Sequence, residues 1–430
     1  MPSKVILPLG YNGKSLTMYG QSDLSANSPP AAPSLAGEWL TAGKVLLVCT
    51  ILLTISVCIM ILQYSQAENL TLPPGTPVGG DYVAFFGASK AAASGNAAAM
   101  YDAANFEAHL LDVGPPRDSY KLTWQYPPTA YLLIAPLAFL PYVFGLVLWI
   151  GGTAAVFFTT LRRIGVPLLG LFIILASPVT LHAVVTGQNG FLTASLLAIA
   201  ALYGRDKPII AGLAAAALTF KPQLGLLIPV AWIAAGYWRA FGVAAIGSLV
   251  FAAVSILAYG PEVWLAFFGG AVETSGRVAD GIMPLYKMVT PYAWTKHLTG
   301  SSLIAGAVGA IAAIASIIVV FRVWRAKIEL DLKAATLCVA VFFAAPYGFY
   351  YELTILVLPM VILVRHGIKD GWLAYEQLLL AGLFLLPMTL PGNATVIGFS
   401  TGFPIVALTA ICVARRLHSW LQEHHICEQY

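Results

Sequence analysis

Long apolar runs separated by short polar breaks recur along most of the chain. The first run extends from about Gly43 to Leu62. A helix of ~20 apolar residues is long enough to cross the ~30 Å hydrocarbon core of a bilayer. Residues 1–40 precede it, and they are polar and rich in Ser, Pro and Gly, which predicts a disordered tail. The pattern predicts an all-α, polytopic membrane protein of about twelve transmembrane helices.

The polar breaks alternate between two kinds. One set is basic and comprises Arg162-Arg163, Arg205-Asp206-Lys207, Trp238-Arg239, Arg322–Lys327, Arg365–Lys369 and Arg415-Arg416. The other set comprises Gly187-Gln188-Asn189, Lys221-Pro222-Gln223, Tyr259–Ser301, Pro346–Glu352 and Pro391-Gly392-Asn393. The positive-inside rule places the basic set in the cytoplasm and the second set outside.

This assignment also sets the domain boundaries. It gives a membrane domain over residues 41–416 between cytoplasmic tails at 1–40 and 417–430. The first extracytoplasmic loop covers residues 64–141, and a second large one covers 259–302. We expect an integral protein of the cell membrane with both termini in the cytoplasm.

Two segments do not read as ordinary spans. The apolar stretch 126–160 is too long for one helix, and two spans would reverse every later loop. The breaks at Pro136 and Pro141 favour a helix at 128–139 in the outer interface, followed by a span at 142–161. Around Lys221, roughly 13 apolar residues on each side are too few to cross the membrane without thinning or a re-entrant shape.

Composition narrows the function classes. The chain of 430 residues is 59% hydrophobic and only 10% charged, whereas soluble domains carry about 25% charged residues. The net charge of +4 gives no argument for nucleic-acid binding. The five cysteines fall in predicted spans and the inner tail, so no disulfide framework is expected. No Cys/His spacing suggests a structural metal.

The first outer loop contains the candidate for catalysis, Asp81, in Gly79-Gly80-Asp81-Tyr82. Helical stretches are predicted at about 81–94 and 98–111, both along the outer interface. An Asp before a helical run is commonly an N-cap, because its side chain accepts from the free N–H groups. A carboxylate at the membrane face can instead act as a general base.

Other candidates follow in the same outer set. Lys221 would cost about 2.5–3.5 kcal/mol at mid-membrane, so it either binds phosphate or extends to the interface. Gln188 and Asn189 either bind sugar hydroxyls or cap a helix end. The loop 259–302 adds four basic residues among aromatics, Arg277, Lys287, Lys296 and His297. His297 can hydrogen-bond a phosphate or orient Asp81, while Glu107 fits a solvated helix face near Asp102.

A set of short motifs resembles a known family. They are Gly80-Asp81-Tyr82, Gly95, Tyr101-Asp102, Tyr126-Pro127-Pro128, Pro136-Leu137, Gly187-Gln188-Asn189, Lys221-Pro222 and Pro346-Tyr347 with Tyr351-Glu352-Leu353. In their order and common outer placement, over roughly residues 43–390, they resemble polyprenyl-phosphate-dependent glycosyltransferases of the GT-C type. The likeness is to family 87, which includes alpha-mannosyltransferases. The family usually has Asp where Glu352 stands.

The resemblance implies a GT-C fold with Asp81 as catalytic base. It implies transfer of a hexose, with mannose as the first candidate, from a polyprenyl monophosphate to a glycolipid or polysaccharide. The transfer would occur with inversion, on the extracytoplasmic face. Lys221, Lys287 and His297 would bind the donor phosphate. Sugar or acceptor contacts would come from Gln188, Asn189, Asp102, Tyr126 and Glu352. Asp81 and Asp102 could hold a divalent ion, although a metal-free reaction is favoured because no cluster of oxygen ligands is close in sequence.

Elementary chemistry agrees with one catalytic carboxylate. A glycosidase needs a second carboxyl group to protonate an alcohol leaving group. A sugar on a lipid phosphate already has a good leaving group, so one base and cations around the phosphate suffice. The rival reading is a transporter or flippase for a lipid-linked or sugar substrate, although the acids avoid the spans and no inverted repeat is evident. A catalytically silent scaffold is a third alternative.

Overall fold

A computed structural model describes residues 41–73, 75–117, 122–390 and 400–427, which are mostly helical. The predicted tail at 1–40 and the polar break at 391–393 lie outside these residues. The helices are α1 (Ala42–Ser65), α2 (Tyr82–Ala93), α3 (Ala103–Val113), α4 (Thr129–Ile134), α5 (Tyr142–Arg163), α6 (Leu168–Leu175), α7 (Pro178–Val185), α8 (Gly190–Tyr203), α9 (Pro208–Ala217), α10 (Pro222–Gly225), α11 (Leu227–Ala235), α12 (Trp238–Tyr259), α13 (Glu262–Ala279), α14 (Pro291–Thr299), α15 (Ser302–Arg325), α16 (Leu330–Ala344), α17 (Val357–Asp370), α18 (Glu376–Leu385) and α19 (Gly402–Cys427).

Short 3-10 helices and one hairpin join these elements. The 3-10 helices are Ala98–Tyr101, Ala135–Phe139, Leu218–Phe220, Leu285–Lys287, Tyr350–Leu356 and Leu386–Thr389. Strands β1 (Thr71–Leu72) and β2 (Thr76–Pro77) pair antiparallel in the first loop, with Thr71 opposite Pro77. The Tyr142 hydroxyl donates to the Val78 carbonyl (2.8 Å), which ties the chain after this hairpin to α5.

Five of the described helical segments are long and apolar enough to cross a membrane: α1, α5, α12, α15 and Tyr350–Asp370. A sixth results if the bent pair α6 and α7 counts as one span. Shorter apolar helices are Thr129–Phe139, Gly190–Tyr203, Pro208–Phe220, Pro222–Ala235 and Glu376–Thr389. The membrane character is therefore clear, while the number twelve stays a prediction.

The apolar stretch 126–160 divides as its proline residues predict. Thr129–Ile134 and the 3-10 helix Ala135–Phe139 form one short unit. Leu140 is extended, and α5 begins after Pro141 as a long apolar helix of 22 residues. One short helix followed by one candidate span is confirmed.

The segment around Lys221 contains two short helices that meet at this residue. The first is α9 with its 3-10 extension to Phe220, and the second begins at Pro222. Lys221 has non-helical backbone angles (φ −139°, ψ 68°) between them. At ~1.5 Å per residue neither is long enough for an ordinary crossing, which confirms that this pair is unusual and puts Lys221 at a helix junction.

The loop helices differ from the interfacial pair that the sequence predicts. Nearly every residue of α2 is buried inside the protein, from Tyr82 to Ala92. Its sequence lacks a polar face, and its rings pack on α5, with Tyr82 and Tyr142 centroids 5.2 Å apart. The second stretch is divided at Asp102, and only one face of α3, with Phe106 and Leu110, is buried.

The basic breaks contact one another. Arg365 donates to the Ile164 carbonyl (2.7 Å) and to Asp331 (2.9 Å). Other contacts in the same set join Arg416 to the Gly371 carbonyl (3.0 Å), Lys369 to Glu329 (3.6 Å) and the Tyr237 ring to the Trp324 ring (6.1 Å). The α19 helix continues beyond Arg416 to Cys427, so the predicted tail begins as helix. The four breaks of the second set that the structure describes converge instead around a cavity.

Candidate active site

Asp81 lies where the first loop meets the turn between α7 and α8. Its backbone N–H donates to the Thr186 carbonyl (2.9 Å), and its side chain is half-buried. Gly80 and Gly187 both have positive φ (54° and 60°), which lets the two backbone segments approach closely. A Cβ at Gly187 would meet the Gly79 carbonyl oxygen at 2.1 Å. Only a glycine turn can therefore bring Asp81 next to Gln188.

The capping alternative for Asp81 is not what the structure shows. Asp81 occupies the N-cap position of α2 but has helical backbone angles (φ −67°, ψ −10°). Within the described residues, its carboxylate makes no capping hydrogen bond to this helix. The carboxylate instead accepts a hydrogen bond from Gln188 Nε2 (2.9 Å). Its position serves the cavity rather than the helix end.

Gln188, Tyr126 and Asn189 form a polar network beside Asp81. The Tyr126 hydroxyl donates to Gln188 Oε1 (3.2 Å) and accepts from Asn189 Nδ2 (3.0 Å). Gln188 and Asn189 are buried, and neither side chain caps α8. Burial raises the pKa of the Tyr126 phenol well above its usual range, so the hydroxyl stays neutral at pH 7. The predicted residues thus come together by hydrogen bonds.

Lys221 is buried in an ion pair with Glu352 and does not extend to an interface. The two side chains contact directly, and Lys221 Nζ also donates to Asn189 Oδ1 (2.7 Å). The Tyr351 ring centroid lies 4.8 Å from the same nitrogen. Thr193 Oγ1 donates to the second oxygen of Glu352 (3.0 Å). An ammonium group has three donors, and the bonds to Glu352 and Asn189 use two of them.

A cavity of about 440 Å³ opens among these groups. Asp81, Gln188, Tyr126, Lys221 and Glu352 line it. Two further cations from the loop 259–302, Lys287 and Arg277, also line it. Among the described residues, the buried Nε of Arg277 has no hydrogen-bond partner. The wall therefore carries three cations and two carboxylates, which suits a small anionic ligand.

Two predicted site residues lie elsewhere. Asp102 is exposed and caps α3, because its carboxylate accepts from the Asn105 N–H (2.8 Å). His297 lies in the last turn of α14, beside a shallow hollow formed with residues 281–286, three of which also line the cavity. Neither lines the cavity. The structure therefore does not bring Asp102 or His297 to Asp81.

The chain matches the model of glycosyltransferase family 87 over residues 124–347, just over half its length. It belongs to this family. No curated protein and no solved structure matches the chain. With its apolar helices, the family makes the protein a membrane glycosyltransferase, so the transporter reading is set aside. The match includes Tyr126, Gln188, Asn189 and Lys221, whereas Asp81 and Glu352 lie outside it.

Some residues of this family 87 cavity were not singled out as site residues from the sequence. Arg277 was one of several basic residues in its loop, and only the fold separates it from Lys296, which bonds the Gly300 carbonyl (2.9 Å). Thr193 follows Asn189 by four residues, so helical spacing on α8 places both on one face. Tyr351 belongs to the Tyr351-Glu352-Leu353 motif, but its residue type alone indicated no role.

The metal-free reaction stays a prediction for this glycosyltransferase. In the part of the chain that the structure describes, no three His, Cys, Asp or Glu side chains converge. Asp102, which was the alternative partner of Asp81 for holding a divalent ion, caps α3 outside the cavity. Cys49, Cys58, Cys338 and Cys412 are free thiols.

Proposed function

We propose that this enzyme transfers a hexose, in the first instance mannose, from a polyprenyl monophosphate to a glycolipid or polysaccharide. The reaction would occur on the extracytoplasmic face, within a GT-C fold of about twelve spans, and would invert the anomeric carbon. Asp81 is the general base, and no metal or other cofactor is required. The observation that carries the proposal is the cavity in which Asp81 faces Lys221, Lys287 and Arg277.

The proposed step is a single displacement. Asp81 accepts the proton of an acceptor hydroxyl as that oxygen forms a bond to the anomeric carbon. The bond from the anomeric carbon to the phosphate oxygen breaks, and both of its electrons leave with the lipid phosphate. Cations fixed at the departing oxygens stabilise the charge that develops there. Attack opposite the leaving group inverts the configuration.

Lys287 and Arg277 are the cavity cations best placed to bind the phosphate. Both are half-buried and line the cavity. In contrast, Lys221 already compensates Glu352 in a buried pair, so only its third N–H is left for a ligand oxygen. Arg277 has only a long, partly exposed contact with Glu273 (3.8 Å). Glu352 in turn accepts from Lys221 and Thr193. Its two oxygens are engaged, which supports a reaction with one base rather than two.

The remaining polar groups supply contacts to the sugar or to the acceptor. Gln188, Asn189 and Tyr126 line or border the cavity with amide and hydroxyl groups. Aromatic side chains of the cavity, including Phe85, Phe220 and Tyr351, provide apolar walls that exclude water from the reacting centre. Asp102 and His297 receive no part in this proposal.

The deciding experiment supplies the purified protein with a panel of polyprenyl-phosphate sugars and an acceptor extract. We expect donor consumption and release of polyprenyl phosphate, highest with the mannosyl donor and unchanged by a metal chelator. Nucleotide sugars serve as the matched donors that should fail. Turnover of nucleotide sugars but of no polyprenyl-phosphate sugar would contradict the proposed lipid donor. Absence of any turnover, with bound donor, would favour a silent scaffold.

A further inference from the structure

Four hydrogen bonds connect Lys221 to Asp81 in series. Lys221 Nζ donates to Asn189 Oδ1 (2.7 Å), and Asn189 Nδ2 donates to the Tyr126 oxygen (3.0 Å). The Tyr126 hydroxyl donates to Gln188 Oε1 (3.2 Å), and Gln188 Nε2 donates to Asp81 Oδ2 (2.9 Å). Every donor points from the cation toward the anion. We call these five residues the relay chain.

The two charged ends fix the direction of the relay chain. An ionised carboxylate only accepts, so Gln188 must turn its NH₂ group toward Asp81. Its oxygen then faces Tyr126, whose hydroxyl has to donate. The Asn189 backbone N–H also points at this oxygen (3.4 Å). At the other end the ammonium group only donates, so Asn189 presents its oxygen to Lys221.

Tyr126 is the link that passes this direction on. It is the one member of the relay chain whose hydrogen-bonding group is a hydroxyl, which donates and accepts through one atom. Its ring is fixed by aromatic neighbours, with centroids 4.9 Å from Trp124 and 5.3 Å from Phe85. The hydroxyl therefore cannot move away from Gln188 without disturbing this packing.

We infer that the relay chain orients the Asp81 carboxylate, and that Tyr126 is a positioning residue for the base. The inference rests on the proposed function, in which Asp81 accepts the proton. Hydrogen bonds that are aligned in series between buried side chains strengthen one another, and Gln188 and Asn189 in the middle of the relay chain are buried. The relay chain thus links Lys221 on one wall of the cavity to the Asp81 carboxylate, which accepts the proton.

The test compares Tyr126→Phe with Tyr131→Phe. The Tyr131 hydroxyl is buried in the same aromatic cluster, 5.3 Å from Trp124 by ring centroids, but donates to the Ala97 carbonyl (2.9 Å) outside the relay chain. We expect Tyr126→Phe to lower kcat about tenfold, with the donor KM within about twofold of normal. Tyr131→Phe should change stability only.

The readout that distinguishes positioning from a structural role is the fall in kcat at an unchanged donor KM. An unchanged kcat in Tyr126→Phe would overturn the inference.

A second arm needs no donor. A double-mutant cycle measures thermal unfolding of Tyr126→Phe, Asp81→Asn and their combination. Residues that share a hydrogen-bond network give non-additive effects, so Tyr126→Phe should lower Tm less in the Asp81→Asn background. Additive shifts would overturn the relay chain. Non-additive shifts in a protein that shows no turnover would support the relay chain. They would contradict the proposed function instead.

Discussion

At the scale of single residues, Asp81→Asn is the most direct test of the proposed base. Asn has nearly the same size and keeps an oxygen that can accept from Gln188 Nε2. It loses basicity, and general base catalysis contributes about 10²–10⁴-fold. We expect a folded protein that binds donor but has lost two to four decades of kcat, measured by donor turnover.

The matched control is Asp102→Asn. Asp102 is in the same loop, is exposed and caps α3. Asn is also a good N-cap residue, so stability and turnover should both remain close to normal. Equal turnover in the Asp81 and Asp102 variants would contradict the assignment of Asp81 as the base.

The Lys221–Glu352 pair changes how a lysine variant should be interpreted. Lys221→Ala alone leaves a buried carboxylate without its partner, and breaking a buried pair costs about 3–5 kcal/mol. The combined Lys221→Met, Glu352→Gln variant removes both charges and should regain most of the melting temperature. If Lys221 also binds phosphate through its third donor, the donor KM should stay about tenfold or more above normal.

Two further variants complete this comparison. Among the described residues Lys287 forms no ion pair, so Lys287→Met removes a cavity cation without leaving a carboxylate unpaired. It should raise the donor KM with little change in Tm. Lys296→Met, outside the cavity, is its control. A double variant of Lys221 and Glu352 with normal KM would assign this pair to structure alone.

Much of the site could be predicted from residue types and their order. Asp81, Gln188, Asn189 and Lys221 stood out because polar groups are costly near apolar runs. The sequence did not indicate which of these residues would pair with one another. Asp81 and Gln188 are 107 residues apart in sequence, and no local pattern predicts which distant side chains will meet. For the same reason His297 and Asp102 seemed equivalent to the residues that do line the cavity.

At the scale of elements, the turn between α7 and α8 determines where Asp81 lies. Gly187 has φ 60°, and an added Cβ would lie 2.1 Å from the Gly79 oxygen and 2.8 Å from Tyr82 Cβ. Gly187→Ala must therefore displace the loop that carries Asp81, besides adding about 1–2 kcal/mol of left-handed strain. We expect at least a tenfold loss of kcat and a lower Tm.

The control for this turn is Gly152→Ala. Gly152 lies inside α5, and nothing would lie within 4 Å of its added Cβ. Alanine is favoured over glycine in a helix by roughly 0.5–1 kcal/mol, so stability should hold or rise and turnover should be unchanged. Normal kcat in Gly187→Ala would show that the loop position tolerates displacement.

The elements also show where pattern reasoning succeeds and fails. Prolines at positions 136 and 141 predicted the division before α5, because proline in a helix interior removes a hydrogen bond and clashes with the preceding turn. The predicted position of α2 along the outer interface was wrong, because the helix is buried in the protein. An apolar helix can be buried by lipid or by protein, and its own sequence does not distinguish these surroundings. The protein neighbours of α2, among them Trp124 and the rings of α5, show which of the two it is.

At the scale of the whole molecule, the alternating breaks correspond to two groups of contacts. The basic breaks join through pairs such as Arg365 with Asp331, while Lys221, Asn189 and Glu352 meet at the cavity. Separation of the two sets is what helices that cross from one face to the other would produce. The sequence pattern therefore predicted which breaks lie together, although it did not predict the contacts within each group.

Impermeant labelling of single cysteines tests the sidedness of these groups. Arg163, Arg205 and Arg325 are exposed in the basic set, so cysteine there should label only after the membrane is opened. Thr299, exposed at the end of α14, should label in intact cells. Lys221 is unsuitable as a reporter because it is only 5% exposed. A cysteine-free background, with normal turnover, is the control for folding. Labelling of intact cells at position 163 but not at 299 would invert the topology and place the cavity in the cytoplasm.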